Sequence, residues 1–80
     1  MQTSTFRADA IEPVGSGLLC TRTSDDESLL IRGAAIATVE LADGCVTVTT
    51  TAGRHEIHLP SVSEGGPHPV GLRNSLRGLL

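Results

Sequence analysis

Lysine is absent from this sequence, and large aromatic side chains are almost absent. Its 80 residues include no Trp, no Tyr and a single Phe, Phe6, and its basic residues are six arginines. Because aromatic rings bury the most area per residue, a core of Leu, Ile and Val leaves little stability in reserve. We expect one small β-rich domain, residues 1–80, whose core a partner helps to complete. The missing lysine, with many Ala, Gly, Thr and Arg, is typical of a GC-rich bacterial or phage genome.

The charge balance argues against nucleic-acid binding. Nine carboxylates and six arginines give a formal net charge of -3, whereas phosphate binding needs a basic surface. Rings for stacking single-stranded bases are missing as well. No apolar run approaches the roughly 20 residues of a membrane span, and residues 1–10 lack the apolar segment of a secretory signal. We expect a cytoplasmic protein that binds no nucleic acid and has no membrane span.

Cysteine is scarce, which restricts disulfide and metal chemistry. Cys20 and Cys45 allow one disulfide at most, whereas small secreted proteins usually carry several. Neither belongs to a CxxC pair, so the four ligands of a closed zinc site are missing. Nothing in the sequence places a His beside either thiol, as nucleophilic catalysis would need. We expect two reduced cysteines, no metal, no cofactor and no catalytic residue.

The strongest structural signal is Asp43-Gly44. This dipeptide favours a two-residue type I′ hairpin turn, because both positions of that turn need positive φ. With the dipeptide at the tip, Leu41 faces Val46 and Val39 faces Val48. A slip of one residue would move every apolar side chain to the wrong face. The sequence therefore predicts both the hairpin and its register.

A second turn is predicted at Ala52-Gly53, either as a two-residue tip or as a four-residue turn with the same pairing. It places Val48 opposite Ile57 and Val46 opposite Leu59. Both turns then produce one apolar face, formed by Val39, Leu41, Val46, Val48, Ile57 and Leu59. The opposite face is polar and carries Thr38, Glu40, Thr47, Thr49, Glu56 and His58. The product is a three-stranded antiparallel meander with one solvated face, which Pro60 ends.

Further short elements flank the meander. Residues 17–22 and 28–32 are predicted strands that the polar run 23–27 separates, and their continuous apolar character favours burial on both sides or pairing beside the meander. Residues 3–11 also have strand character, which Pro13 and the Gly15-Ser16-Gly17 run interrupt. Pro69 can begin a C-terminal helix, and its apolar face is formed by Leu72, Leu76, Leu79 and Leu80.

The fold class that we predict is mainly β: a small α+β roll or barrel, with an antiparallel meander of about five short strands and a short C-terminal helix. This layout resembles that of bacterial pleckstrin-homology-like domains. The resemblance is one of architecture and rests on no diagnostic motif, so it implies no function.

The histidines and the acidic run have simple structural interpretations. His55 and His58 flank Glu56 in a string similar to the zinc-protease motif, but their spacing is three, and residues three apart on a strand point to opposite faces. We therefore expect a solvent-facing pair of His58 with Thr47 and another of Glu56 with Thr49. Asp25-Asp26-Glu27 lacks the spacing of a calcium loop and is interpreted as a solvated turn.

Three other patterns are also assigned structural roles. The run 61–64, Ser-Val-Ser-Glu, has the spelling of a capping box, which we interpret as accidental because Gly65-Gly66-Pro67 stops any helix. The glycine runs are not phosphate loops, since no lysine accompanies them. Arg73 and Arg77 lie one turn apart on the predicted helix and are interpreted as solvated.

The function that these patterns favour is a non-catalytic protein–protein interaction or accessory module. The alternative is a small-ligand or anion-binding domain with a pocket between the sheet and the C-terminal helix. The sequence assigns no binding residues. It does predict self-association as a homodimer, because an exposed strand edge is a template for pairing and no lysine is available to protect it. The predicted edges are residues 54–59 and the N-terminal strand.

Overall fold

The computed structural model describes residues 2–77, which form seven strands, two 3-10 turns and one α-helix. The strands are β1 (Gln2–Arg7), β2 (Ala10–Val14), β3 (Gly17–Arg22), β4 (Glu27–Arg32), β5 (Ile36–Ala42), β6 (Cys45–Thr50) and β7 (Gly53–His58). The helix is α1 (Pro69–Ser75), and the 3-10 turns span Gly33–Ala35 and Val62–Glu64. The predicted mainly β class is confirmed, with seven strands where about five were expected.

The strands form two sheets that the chain connects at two corners. One sheet has the order β1-β7-β6-β5 and the other the order β2-β3-β4. At the first corner the Ala8 N–H still donates to the His58 carbonyl of the first sheet, at 2.8 Å. The next residue, Asp9, donates to the Thr21 carbonyl of the second sheet, at 2.7 Å. The segments β1 and β2 therefore follow one path that bends from sheet to sheet.

A second corner joins β4 to β5 through the 3-10 turn Gly33–Ala35. Hydrogen bonds from Gly33 to Ser16 and from Thr51 to Ala35 continue the ladders on its two sides. Because β1 continues into β2 and β4 into β5, the seven strands form five consecutive strand paths: β1–β2, β3, β4–β5, β6 and β7. Each path is antiparallel to the next. An up-and-down ring with an odd number of paths must close with one parallel pair, which here is β1 with β7. The predicted three-stranded antiparallel meander is present as β5, β6 and β7, and the parallel pairing of β1 with β7 adds a strand that the prediction did not include.

The predicted register of the first hairpin is confirmed. Leu41 lies opposite Val46 and Val39 opposite Val48. Gly44 in the turn has φ 80°, a value that a residue without Cβ adopts at no steric cost. The Asp43-Gly44 turn therefore sets the pairing of β5 with β6, apart from a register irregularity between Ile36 and Thr38.

The predicted register of the second hairpin is wrong by two residues. Val48 lies opposite His55 rather than Ile57, and Val46 lies opposite Ile57 rather than Leu59. Because side chains alternate with a period of two, a shift of two keeps every residue on its predicted face. Val46, Val48 and Ile57 are fully buried, and Leu59 is 8% exposed.

The cause of the shift is the Thr50 side chain. Its hydroxyl accepts hydrogen bonds from the Ala52 N–H at 3.2 Å and the Gly53 N–H at 3.1 Å, and donates to the Gly53 carbonyl at 2.9 Å. This side-chain turn occupies residues 50–53, so the last ladder pair is Thr49 with Arg54. A hydroxyl that bonds to backbone two or three residues ahead replaces the turn that glycine alone would favour.

The core lies between the two sheets and is closed by the helix. Its buried apolar residues are Ala8, Ile11, Leu18, Cys20, Ile31, Val46, Val48, Ile57, Leu59, Leu72 and Leu76. Helix α1 begins at Pro69, as predicted, and the His68 imidazole accepts the Val70 N–H at 3.1 Å. Leu79 and Leu80, which complete the predicted helix face, lie outside the described residues.

Two further expectations are corrected by the packing. Val39 and Leu41 are only partly buried, because β5 lies at the edge of its sheet. Pro13 does not interrupt a strand but lies within β2. Since β2 is an edge strand, the missing N–H of Pro13 removes no hydrogen bond from the interior of the sheet.

Candidate binding surface

Strand β4 forms an edge of the three-stranded sheet, and its outward backbone groups can be identified. On β3, the Thr21 carbonyl accepts from Asp9, on the β2 side, whereas the Ser16 carbonyl accepts from Gly33, on the β4 side. Backbone groups alternate between the two sides of a strand, so even-numbered residues of β3 pair through hydrogen bonds with odd-numbered residues of β4. The N–H and C=O of Ser28, Leu30 and Arg32 therefore point away from the sheet.

Two of the other edge strands, β2 and β5, carry features that disfavour pairing with another chain. Strand β2 contains Pro13, and β5 has a register irregularity and lies against α1. Strand β1 is exposed and polar apart from Phe6. The predicted edge at residues 54–59 is wrong, because β7 lies between β6 and β1. Proline, irregular pairing and covering helices are known protections of sheet edges. Among the described strands, β1 and β4 have none of these, and of the two only β4 carries a large exposed apolar side chain, Leu30.

A surface with apolar residues at its centre and charged residues at its margins lies beside this edge, on the outer face of the three-stranded sheet. Leu30 is 60% exposed and lies in one row across the sheet with Leu19 and Glu12. The next row contains Val14, Gly17 and Arg32. We call this surface, with its outward backbone groups, the β4 surface.

A shallow depression of about 350 Å³ lies at the β4 surface, lined by Val14, Ser16, Gly17, Leu30, Arg32 and Ala34. Gly17 keeps it open. A Cβ at this position would lie 2.8 Å from the Ile31 carbonyl oxygen and 3.4 Å from Leu30 Cδ1. The absence of a side chain at Gly17 thus allows Leu30 to lie over the strand and leaves space for an apolar group of a partner.

The charges on β4 are separated along the strand. Asp25, Asp26 and Glu27 precede or begin it, and Arg32 ends it. The acidic turn is held by Arg22, whose Nε and Nη2 donate to the two Asp25 oxygens at 2.9 and 3.0 Å. This hydrogen bond holds the pKa of the Asp25 carboxyl below its usual range. The turn therefore presents ordered negative charge at one end of an edge strand whose other end is positive.

A second, polar depression of about 420 Å³ is lined by Gln2, Thr3, Ser4, Ala52, Gly53, Arg54 and His55. Ser4 Oγ and His55 Nδ1 are hydrogen-bonded at 2.7 Å. The two residues are 51 positions apart, and only the parallel pairing of β1 with β7 brings them together. A serine hydroxyl beside a histidine can act as a nucleophile when a third group orients the imidazole. Within residues 2–77, none of the side-chain hydrogen bonds joins His55 to a carboxylate.

The histidines lie on opposite faces of β7, as strand alternation predicts, but their neighbours differ from the prediction. His58 lies opposite Cys45 rather than Thr47, and Glu56 lies opposite Thr47 rather than Thr49. The shift of two residues in the second hairpin is the reason. It also places His58 opposite Cys45, a neighbour that nothing in the sequence indicated. Across the part of the chain that the structure describes, no group of three or more His, Cys, Asp or Glu is arranged to hold a metal ion.

The two cysteines differ in their surroundings. Both are free thiols; Cys20 is buried in the core and Cys45 is partly exposed on the outer face of its sheet. Burial raises the pKa of the Cys20 thiol to about 11, because an apolar environment disfavours the thiolate.

We expect iodoacetamide at pH 8 to modify Cys45 in the native protein and to leave Cys20 unmodified. The thiolate is the nucleophile, and Cys20 at pH 8 is both protonated and sterically covered. Mass spectrometry should show one added group in buffer and two in denaturant. Two groups added at equal rates in buffer would contradict the burial of Cys20.

The remaining sequence patterns have structural roles. The capping box at Ser61 is real, contrary to the prediction: the Glu64 carboxylate accepts from the Ser61 N–H at 3.2 Å and its hydroxyl at 2.9 Å. It caps a single 3-10 turn that ends at Gly65, whose φ is 89°. Arg73 and Arg77 are exposed, as solvated arginines would be.

Comparison with protein-family models, with curated proteins and with solved structures finds no match to this chain. The resemblance to pleckstrin-homology-like domains therefore stays an expectation from the sequence. Over residues 2–77, no helix has the length and the apolar character that crossing a membrane requires.

Proposed function

We propose that the protein is a non-catalytic protein–protein interaction module, and that its binding site is the β4 surface. The observation that carries the proposal is the 60% exposure of Leu30 on a regular edge strand, whose outward backbone groups are free to pair. An extended segment added to such an edge gains affinity from main-chain hydrogen bonds. Side-chain pockets beside the edge supply the specificity.

The surroundings of the edge support this mode of binding. The depression beside Gly17 and Leu30 accepts an apolar side chain of the added strand. Arg32 at one end of β4 and Glu27 at the other favour a partner strand that places an acidic group beside Arg32 and a basic group beside Glu27. The proposed location is the cytoplasm, where reducing conditions keep cysteines such as Cys20 and Cys45 as free thiols.

Amide exchange of β4 tests the proposed function. The probe is a synthetic peptide of residues 25–34, blocked at both ends and added in excess to isotope-labelled protein. With the peptide present, the outward amides of Ser28, Leu30 and Arg32 should exchange at least tenfold more slowly than the amides of exposed turns. Rapid exchange of these three amides at saturating peptide would show that β4 does not accept a strand.

A matched pair of variants locates the effect. Leu30 and Val70 are similarly exposed, at 60% and 62%, but Val70 lies on α1, away from the edge. Leu30→Lys should abolish the protection of the β4 amides, because charge at an edge opposes pairing. Val70→Lys should leave it unchanged. Equal effects of the two substitutions would count against the β4 surface.

Binding of a small anion is the second candidate function, and the polar depression favours it. The predicted pocket between sheet and helix differs from this site, whose lining contains no residue of α1. Arg54 supplies positive charge, and the Ser4–His55 pair supplies directed hydrogen-bonding groups. A rise in melting temperature with inorganic phosphate that Arg54→Gln removes would support this function. Unchanged melting at high phosphate concentration would exclude it.

A further inference from the structure

We propose that the partner at the β4 surface is a second copy of this chain, joined by a symmetric antiparallel β4–β4 pair; this inference rests on the proposed function. A two-fold axis perpendicular to the sheet leaves each face of the sheet on its own side. Residues that face each other across the axis must then both have even numbers or both have odd numbers. Leu30 satisfies this rule by facing Leu30 of the second copy on the axis, and Ser28 then faces Arg32 of the second copy.

The backbone supports this arrangement. The residues in facing positions, Ser28, Leu30 and Arg32, are those whose N–H and C=O groups point away from β3. The Leu30 pair can therefore exchange two hydrogen bonds, as antiparallel ladders do. In the two Ser28–Arg32 pairs, the Arg32 carbonyl also accepts the first hydrogen bond of the 3-10 turn that follows β4. The two three-stranded sheets would become one continuous sheet, and the exposed edge of each copy would disappear.

The apolar side chains favour a copy with its Leu30 at the centre. On the outer face, the two Leu30 side chains, each 60% exposed alone, would lie side by side next to Leu19. On the inner face, Leu29 is only partly buried and would face Ile31 of the second copy. Pairing thus covers the two leucines of β4 that the fold of a single chain leaves accessible.

The charges determine the direction of pairing. In a parallel pair the acidic turn of one copy would lie beside the acidic turn of the other, and the two Arg32 side chains would also meet. In the antiparallel pair, Arg32 of each copy faces Ser28 of the other and lies close to the acidic turn that precedes β4 of that copy. The same contact occurs twice, so the charges of one β4 complement those of another.

This self-complementarity distinguishes a second copy from an unrelated strand. A foreign strand would need its own central apolar residue and its own acid-to-base order. The chain already carries both on β4, and it has no lysine that would oppose pairing of this edge with the same edge of a second copy. The geometry therefore points to a homodimer in which each copy occupies the other's binding site.

Sedimentation across a dilution series tests the inference. Without peptide, the wild-type chain should approach twice its mass of 8.3 kDa at high concentration and dissociate on dilution. The amides of Ser28, Leu30 and Arg32 should gain protection with the same concentration dependence. Leu30→Lys should weaken the dimer at least tenfold, whereas Val70→Lys should leave it intact. Thermal melting followed by circular dichroism checks that both variants are folded.

Disulfide trapping tests the register. In a Cys45→Ser background, Leu30→Cys should form a disulfide-linked dimer on mild oxidation, because facing Cα atoms of a hydrogen-bonded pair lie about 5.5 Å apart, within disulfide range. Ser28→Cys, on the same face of the same strand, should not, because its copies lie about four residues apart along the pair. Equal trapping of both, or of neither, would overturn the proposed register.

The outcomes separate the inference from the proposed function. A mass of 8.3 kDa at all concentrations, together with protection of β4 by the peptide, would refute the homodimer and retain the β4 surface as a site for another protein's extended segment. A monomer whose β4 amides exchange rapidly even with peptide would refute both. A dimer that Leu30→Lys leaves unchanged would place the contact elsewhere and refute the inference.

Discussion

Replacing Val48 with Asp should unfold the domain at room temperature. Val48 is fully buried on β6, which has neighbouring strands on both sides. A carboxylate without a partner costs several kcal/mol in such a position, or must take up a proton. A core of this size rarely supplies more than about 3–5 kcal/mol of net stability. Circular dichroism should therefore show the loss of the folded signal.

Thr49→Asp is the matched control for this substitution. Thr49 neighbours Val48 in sequence but lies on the other face of β6, partly exposed and opposite Arg54. The new carboxylate keeps its water and gains a cation across the strand pair, and such pairs contribute about 0.2–1 kcal/mol. Its melting temperature should stay close to that of the wild type. Similar melting temperatures for the two variants would mean that the faces of β6 are assigned wrongly.

The first hairpin could be predicted because its information is local. Asp43-Gly44 specifies a turn of known geometry, and the flanking residues alternate in step with it. The second hairpin was assigned the correct faces but the wrong register. The Thr50 hydroxyl, rather than Gly53, determines where that turn lies. Threonine is common in strands, so its side chain gave no sign that it would end one.

The closure of the fold could not be predicted because it is non-local. Strand β1 pairs with β7, some fifty residues away, and no turn or periodicity encodes that contact. The same pairing brings Ser4 to His55 and creates the polar depression. In the sequence, Ser4 and His55 are two polar residues that belong to no recognisable motif. Their proximity depends on the odd number of strand paths, which becomes visible only when the whole ring is assembled.

The candidate site was missed for a related reason. Residues 28–32 form a continuous apolar run, which favours burial on both sides or pairing beside other strands. In the structure Ile31 is 4% exposed, whereas Leu30 is 60% exposed. The run gives no indication of which strand ends a sheet, and edge position determines which of its residues faces solvent. The absence of lysine did indicate an unprotected edge. Of the two predicted edges, residues 54–59 lie inside a sheet, whereas the N-terminal strand does lie at an edge, as β1 and β2.

Gly66→Ala should destabilise the domain by about 1–3 kcal/mol, the usual cost of forcing atoms into occupied space. A Cβ at this position would overlap the Pro60 carbonyl group and lie 2.9 Å from the Ser61 carbonyl oxygen. Both obstacles are backbone, so no side-chain rotation relieves them. The Gly66 N–H also donates to the Ser61 carbonyl at 2.8 Å, which fixes the close approach.

The loop that would shift connects β7 to α1, so its displacement should also loosen the packing of Leu72 and Leu76 against the core. A loss of about 2 kcal/mol lowers the melting temperature of a domain this small by roughly 10 °C, which calorimetry resolves. Gly71→Ala is the control, because no atom of residues 2–77 lies within 4 Å of its Cβ position and Gly71 is inside α1. Alanine there should raise stability by up to about 1 kcal/mol, since glycine is the poorer helix former. Opposite signs for the same substitution would show that contact with the Pro60 backbone, rather than loss of glycine flexibility, determines the effect at Gly66.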